Sequence, residues 1–198
     1  MSENRQEIFF DQALFNAPRI TDNSALSRYL IDNGFFTAPA SRDHHGNYAG
    51  GLFDHSLNVF KRLTELTSQC GLKWQRPESP FIVGMFHDLC KIDLYKLVKG
   101  QTKTIPDPLG FRDFVEYTTD SHYEHNENVT LKGHGEKSVL LLSQFMTLTE
   151  EEMLCIRYHM GAYMTDEWDQ FDAAIRKYEN VLWTHHADQL ASKIDEVK

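Results

Sequence analysis

The sequence predicts one all-α domain. Three observations carry that expectation. Apolar residues recur at helical spacing along most of the chain, capping residues and glycines punctuate those runs, and only residues 97–131 lack a helical stripe.

Taken in order, "TDNSALSRYLIDNG" offers capping residues at its start, Leu26, Tyr29 and Leu30 on one face, and Gly34 as a stop. A turn-rich loop, "FFTAPASRDHHGNYAGG", follows. "LFDHSLNVFKRLTELTSQCG" then lines up Leu52, Val59, Phe60, Leu63 and Leu66 and closes at Gly71, as an amphipathic helix should. "SPFIVGMFHDLCKI" begins with Ser79 as cap and Pro80 at the first helical position, and it is apolar nearly all round, the mark of a buried helix. Residues 97–131 carry Pro, Gly, Asp and Asn punctuation with short runs such as "FVEYTT". They predict a long loop or a small β-hairpin inserted into the helical domain, with Phe111, Phe114, Tyr117 and Tyr123 packing its core in preference to stacking a base. Helices resume with "GHGEKSVLLLSQFM" and with "TLTEEEMLCIRYHMG", where Thr149 and Glu152 form a capping box and Gly161 closes the element. "DEWDQFDAAIRKYE" and "NVLWTHHADQLASKIDE" predict two more. Neither a repeat nor a linker interrupts residues 1–198, so a single domain is expected.

Composition narrows the function classes. With 41% hydrophobic and 25% charged residues in 198, the chain has the make-up of a soluble globular domain. No apolar run approaches the roughly 20 residues of a membrane helix, and the start lacks an export signal. Cys70, Cys90 and Cys155 are odd in number and widely spaced, which fits reduced thiols in a cytoplasm. A formal net charge of −9 argues against coating duplex nucleic acid, whose phosphates need a basic surface. It leaves a small phosphorylated substrate open, because a few local cations override the global sign within a cleft.

Ten histidines are the unusual feature. His55 lies near the start of its predicted helix, His87 and Asp88 near the end of the buried one, His134 opens a helix, His159 ends one, and Asp188 lies in the last. Helices of a bundle build metal sites by converging such residues. Neutral imidazole and carboxylate suit Mn, Fe, Co, Ni or Zn. An aspartate can also bridge two ions through its two oxygens, which histidine cannot. Any one of these histidines alone reads as a hydrogen-bonded structural residue; the pattern H…HD…H…H…D in this order is what singles them out.

That pattern resembles the HD-domain superfamily of metal-dependent phosphohydrolases. The residues that carry the resemblance are "GGLFDHS", "FHDLCK", "GHGEKS", "RYHMG" and "HHADQLAS", spread over roughly 44–195. "HHGNYAGGLFDHSLNV" is similar to the opening of HD domains in some bacterial exoribonuclease and relaxase-associated proteins, and "HDLCKIDLYK" with "GHGEKS" resembles small stand-alone HD hydrolases of Firmicutes and their phages. The resemblance implies a compact HD-type helical bundle in which His55, His87, Asp88 and Asp188 bind one metal. His134 and His159, with Asp88 as bridge, would hold a second. Two divalent transition ions (Mn, Fe, Co, Ni or Zn, with Mg as a further candidate) would supply hydroxide at neutral pH and bind phosphoryl oxygens. The implied activity is hydrolysis of a phosphomonoester, phosphoanhydride or phosphodiester of a nucleotide or similar small phosphate.

Around this set, Lys91 follows Asp88 by three residues and is a candidate phosphate contact, the alternative being a lysine that favours a helix C-terminus. His44 and His45 are candidates to contact substrate or to support the metal ligands, and Lys96 is a further candidate substrate contact. Lys91, Lys96, Lys99 and Lys103 together form either a cationic rim or a solvated face. His185, three residues before Asp188, is a candidate to orient that carboxylate. His186, His122 and His125 read as surface or packing residues. Two other function classes compete with a nucleotide hydrolase: an HD-type phosphodiesterase or nuclease on short single-stranded or cyclic nucleic acid, and a non-catalytic nucleotide-sensing module. A purely structural metal site is disfavoured, since such sites are closed and rich in sulfur.

Overall fold

Helix α4 (Gly51–Cys70) lies against α5 (Ser79–Phe86), and the two form the spine of a mostly helical fold. In the computed structural model, which describes residues 2–21, 23–109 and 111–196, the remaining helices are α1 (Ser2–Asn16), α2 (Pro18–Thr21), α3 (Ser24–Asp32), α6 (Gly135–Leu142), α7 (Glu150–Arg157), α8 (Trp168–Lys177) and α9 (Asn180–Leu190). A π-helical turn, Ala191–Asp195, continues α9. Helix α9 packs on α4 and α7, and α7 also meets α5 and α6. None of the described helices is long and apolar enough to cross a membrane.

The core is largely aromatic. Phe9 of α1 stands 5.7 to 6.2 Å, centroid to centroid, from Phe35, Phe36, Phe81 and Phe86, mostly edge to face, and Phe53 of α4 closes the group against Phe35 and Phe36. Such pairs add to the burial of their large apolar surfaces. Helix α1 was not foreseen from the sequence. Its inward face includes Phe9 and Ala13, while Leu14 and Phe15 stay exposed, so it shows no clean apolar stripe.

Several local expectations hold. Asn23 caps α3 by accepting from the Leu26 N–H, α4 stops at Gly71, and Thr149 and Glu152 exchange both bonds of the capping box at α7. Two differ. Glu78, not Ser79, is the cap residue of α5; Ser79 sits in its first turn and donates its hydroxyl to Glu152 Oε1 at 2.8 Å, tying α5 to α7. Helix α5 also ends at Phe86, where the apolar run predicts continuation to Ile92. The Cys90 N–H is drawn to Ser138 Oγ and that of Lys91 to Asp88 O, so the i to i−4 ladder stops and a 3-10 turn, Leu89–Asp93, follows.

The insertion is a long antiparallel ribbon in two segments. Strand β1 (Tyr95–Val98) pairs with β4 (His122–His125), and β2 (Thr102–Pro106) pairs with β3 (Phe114–Thr118) beyond it. At its tip the Asp107 carboxylate accepts from the N–H groups of Leu109, Phe111 and Arg112, which holds it below the usual carboxylate range. The expected hairpin core is corrected: Phe111 is 85% exposed and Phe114 60%, and Tyr117 also faces solvent. A two-stranded ribbon standing off the helices has no second layer to bury them.

Two glycines bring the site-bearing helices close. A Cβ on Gly84 of α5 would lie 2.5 Å from Phe60 Cα of α4, and one on Gly135 of α6 would lie 2.3 Å from the Arg157 carbonyl at the end of α7. These approaches set His87 beside His55 and His134 beside His159.

Candidate metal centre

Each of the six sequence-selected residues arrives from a different kind of support. His55 is on the second turn of α4, His87 is the C-cap of α5, and Asp88 occupies the break after it with φ −104° and ψ 17°. His134 is the N-cap of α6, His159 follows the end of α7, and Asp188 lies on α9. His55, His87, Asp88, His159 and Asp188 are all buried, while His134 is partly open to the cleft.

The histidine rings are anchored by their outer nitrogens. His87 Nδ1 donates to Gly84 O at 2.9 Å, His159 Nδ1 to Ile156 O at 2.8 Å, and His55 Nδ1 to Glu196 Oε1 at 3.1 Å. Carbonyl and carboxylate oxygens only accept, so in the neutral rings the proton resides on Nδ1 and the lone pair on Nε2. The Nε2 lone pairs of His87 and His55 then face one another at 3.3 Å, while His159 Nε2 lies 3.2 Å from that of His134, a ring whose Nδ1 meets Cys90 Sγ rather than an oxygen. Facing lone pairs at that distance repel unless a cation or a proton lies between them.

Asp88 divides this set in two. Its Oδ2 faces His55 and His87 Nε2 at 3.6 and 3.5 Å, and its Oδ1 faces His134 and His159 Nε2 at 3.2 and 3.4 Å. Asp188 Oδ1 completes the first half, 3.2 Å from His55 Nε2. Among the described residues no hydrogen-bond donor satisfies the buried Oδ1 of Asp88. An orphaned carboxylate oxygen in the interior is costly, and of the two imidazoles facing it the neutral His159 ring turns a lone pair towards it. The donor set therefore fits a metal ion: His55, His87 and Asp188 lie within 4.8 Å of one another, and so do His87, Asp88 and His159.

Electrostatics follow the same division. Burial penalises the Asp88 carboxylate, but Lys91, His87, His134 and His159 outweigh it and hold the group well below the usual range. Asp188 is likewise depressed, chiefly by His55 against its own burial. Burial alone would lower His55, yet Asp188 and Glu196 push it up to about 9, whereas His87 is lowered by burial. A cation bound beside His55 would take the place of that proton.

Above the cluster opens a cleft of about 400 Å³, with Asp88, His134 and Asp188 among its walls. Lys91 borders it and also sits 2.6 Å from Asp88 Oδ2, which raises its pKa despite burial. His44 and His45 both reach the cleft. The His45 ring lies 4.7 Å from that of His55, and burial lowers it to about 4, with the charges of His55 and Lys91 adding to the effect. Lys96 does not line the cleft: it is on the ribbon, 3.7 Å from Glu124. Lys99 and Lys103 lie on the ribbon as well, so the cationic rim reduces to Lys91 on this side. His185 is not a partner of Asp188. Its Nδ1 donates to His159 O at 2.8 Å, because on α9 its ring faces the end of α7.

Sequence reading missed Glu196, the acceptor for His55; Cys90, whose Sγ lies 3.3 Å from His134 Nδ1; and Lys193, Tyr95 and Tyr163 in the cleft wall. Glu196 stands 141 positions from His55, a separation that no local spacing reveals. Cys90 had a usable signal, since it is two residues beyond Asp88. Compared with family models, curated proteins and solved structures, the chain matches none.

Proposed function

We propose that this protein is a metal-dependent phosphohydrolase of the HD-domain type, acting on a nucleotide or similar small phosphate ester. The observation that carries the reading is the divided Asp88 carboxylate, one buried oxygen turned to each pair of histidines. In this reading His55, His87, Asp88 and Asp188 hold one divalent ion, and Asp88, His134 and His159 hold another. Such ions supply Lewis acidity, making water a nucleophile at neutral pH and offsetting charge on phosphoryl oxygens.

The chain's own groups do the rest. Lys91 steadies Asp88 and adds a positive charge at the cleft edge, where a phosphoryl oxygen of the substrate would enter. Lys193 and His44 offer further cationic or donor groups on the cleft wall, and Tyr95 and Tyr163 provide aromatic surface for the organic part of the substrate. The cleft volume is within the range of sites for small ligands.

The test is hydrolysis of a panel of nucleotides and cyclic or linear dinucleotides, with Mn(II), Fe(II), Co(II), Ni(II), Zn(II) and Mg(II) supplied in turn. Turnover with at least one pair, lost on chelation and in Asp88→Ala, is expected. Absence of turnover from every metal-loaded form would overturn the enzymatic reading.

A further inference from the structure

We infer that Glu196 is a positioning residue of the metal centre, holding the His55 proton on Nδ1 so that Nε2 is left to face the cation. The inference rests on the metal-dependent reading above. Glu196 Oε1 accepts from His55 Nδ1 and from Asn58 Nδ2, each at 3.1 Å. The carboxylate is itself 11% exposed, and its backbone N–H is tied to Ala191 O at 3.1 Å. The neighbouring Asp195 is paired with Arg62 of α4, so the π-helical turn after α9 is fastened to the helix that carries His55.

The other buried rings use backbone carbonyls for the same purpose. His87 and His159 donate to the carbonyls three residues before them, so their orientation comes with the local backbone. His55 has no such arrangement, because a residue early in α4 has its neighbouring carbonyls committed to the helix ladder. Its outer nitrogen is served from a remote segment, by a group carrying a full negative charge. A carboxylate behind an imidazole fixes the ring's tautomer and raises its basicity as a ligand. Asn58, one turn along α4 from Asp54, keeps the carboxylate from rotating away.

Zn(II), being diamagnetic, allows affinity and tautomer to be read on the same full-length protein. Affinity is measured by competition with a chromophoric chelator for the wild type, Glu196→Ala, Glu196→Gln and Asn58→Ala, and the tautomer by long-range proton–nitrogen correlation of histidine-labelled, Zn(II)-loaded samples. Glu196→Ala should bind Zn(II) about 10–100-fold more weakly and lose the slowly exchanging Nδ1 proton of His55. Glu196→Gln, which keeps an acceptor oxygen, should recover most of the affinity. Asn58→Ala should weaken binding severalfold, and it carries the test should Glu196→Ala not fold. If the wild type binds Zn(II) and folded Glu196→Ala or Asn58→Ala matches it, this inference fails while the metal centre stands. If the wild type binds no Zn(II), the metal-centre reading itself fails.

Discussion

Replacing Asp88 by asparagine keeps the side chain's shape and removes its charge, which exposes what that charge does in the metal-free protein. Asp88 is 2% exposed and its Oδ2 lies 2.6 Å from Lys91 Nζ, the Lys91 side chain being 12% exposed. Removing one partner of a buried ion pair costs about 3–5 kcal/mol, because the remaining charge is left without compensation. Lys91 borders the cleft and can turn part of its ammonium towards water, so the lower end, about 3 kcal/mol, is expected. At about 2–4 °C per kcal/mol for a domain of this size, the melting temperature of the metal-free protein should fall by about 6–12 °C. Thermal unfolding followed by circular dichroism in excess chelator reads this directly. The double variant Asp88→Asn with Lys91→Met should be more stable than Asp88→Asn alone, since it removes the stranded charge. A fall of under about 3 °C for Asp88→Asn, with no recovery in the double variant, would refute the ion-pair argument.

Three further outcomes follow from the same geometry. His134→Ala should leave roughly half the bound metal, because it opens only the half of the cluster facing Asp88 Oδ1, whereas His186→Ala should leave the metal content unchanged; inductively coupled plasma analysis distinguishes them. Gly84→Ala forces a methyl to 2.5 Å from Phe60 Cα, about 1 Å inside ordinary contact, and should destabilise the protein by about 1–3 kcal/mol or more and weaken metal binding by moving His87 from His55. Denaturant unfolding together with chelator competition checks both effects. Phe114→Ser, on the exposed ribbon, should change stability by less than about 0.5 kcal/mol, and a larger loss would mean that the ribbon is packed against something.

How much was legible from the sequence depended on whether the signal was local. The bounds of α4 follow from its stripe and Gly71, and the start of α7 from the Thr149–Glu152 box, since these depend on neighbours within four residues. The six candidate ligands were legible as a pattern of chemically suited side chains, and the fold brings them close together. What was hidden depends on contacts distant in sequence. The break of α5 at Asp88 needs Ser138 to take the Cys90 N–H, and an uninterrupted apolar run shows no trace of that. Spacing pairs His185 with Asp188, yet its orientation is decided by the end of α7. Helix α1 escaped notice because its buried face is narrow, and Glu196 because its partner is on the other side of the molecule's sequence.

The central claim is that Asp88 joins two cation positions, and metal stoichiometry tests it most directly. Protein loaded with Mn(II), passed through a desalting column and analysed for metal per chain, should retain two ions, with Asp88→Ala retaining none. Two ions retained by Asp88→Ala would contradict the bridging role, and wild-type protein that retains no ion would contradict the metal centre altogether.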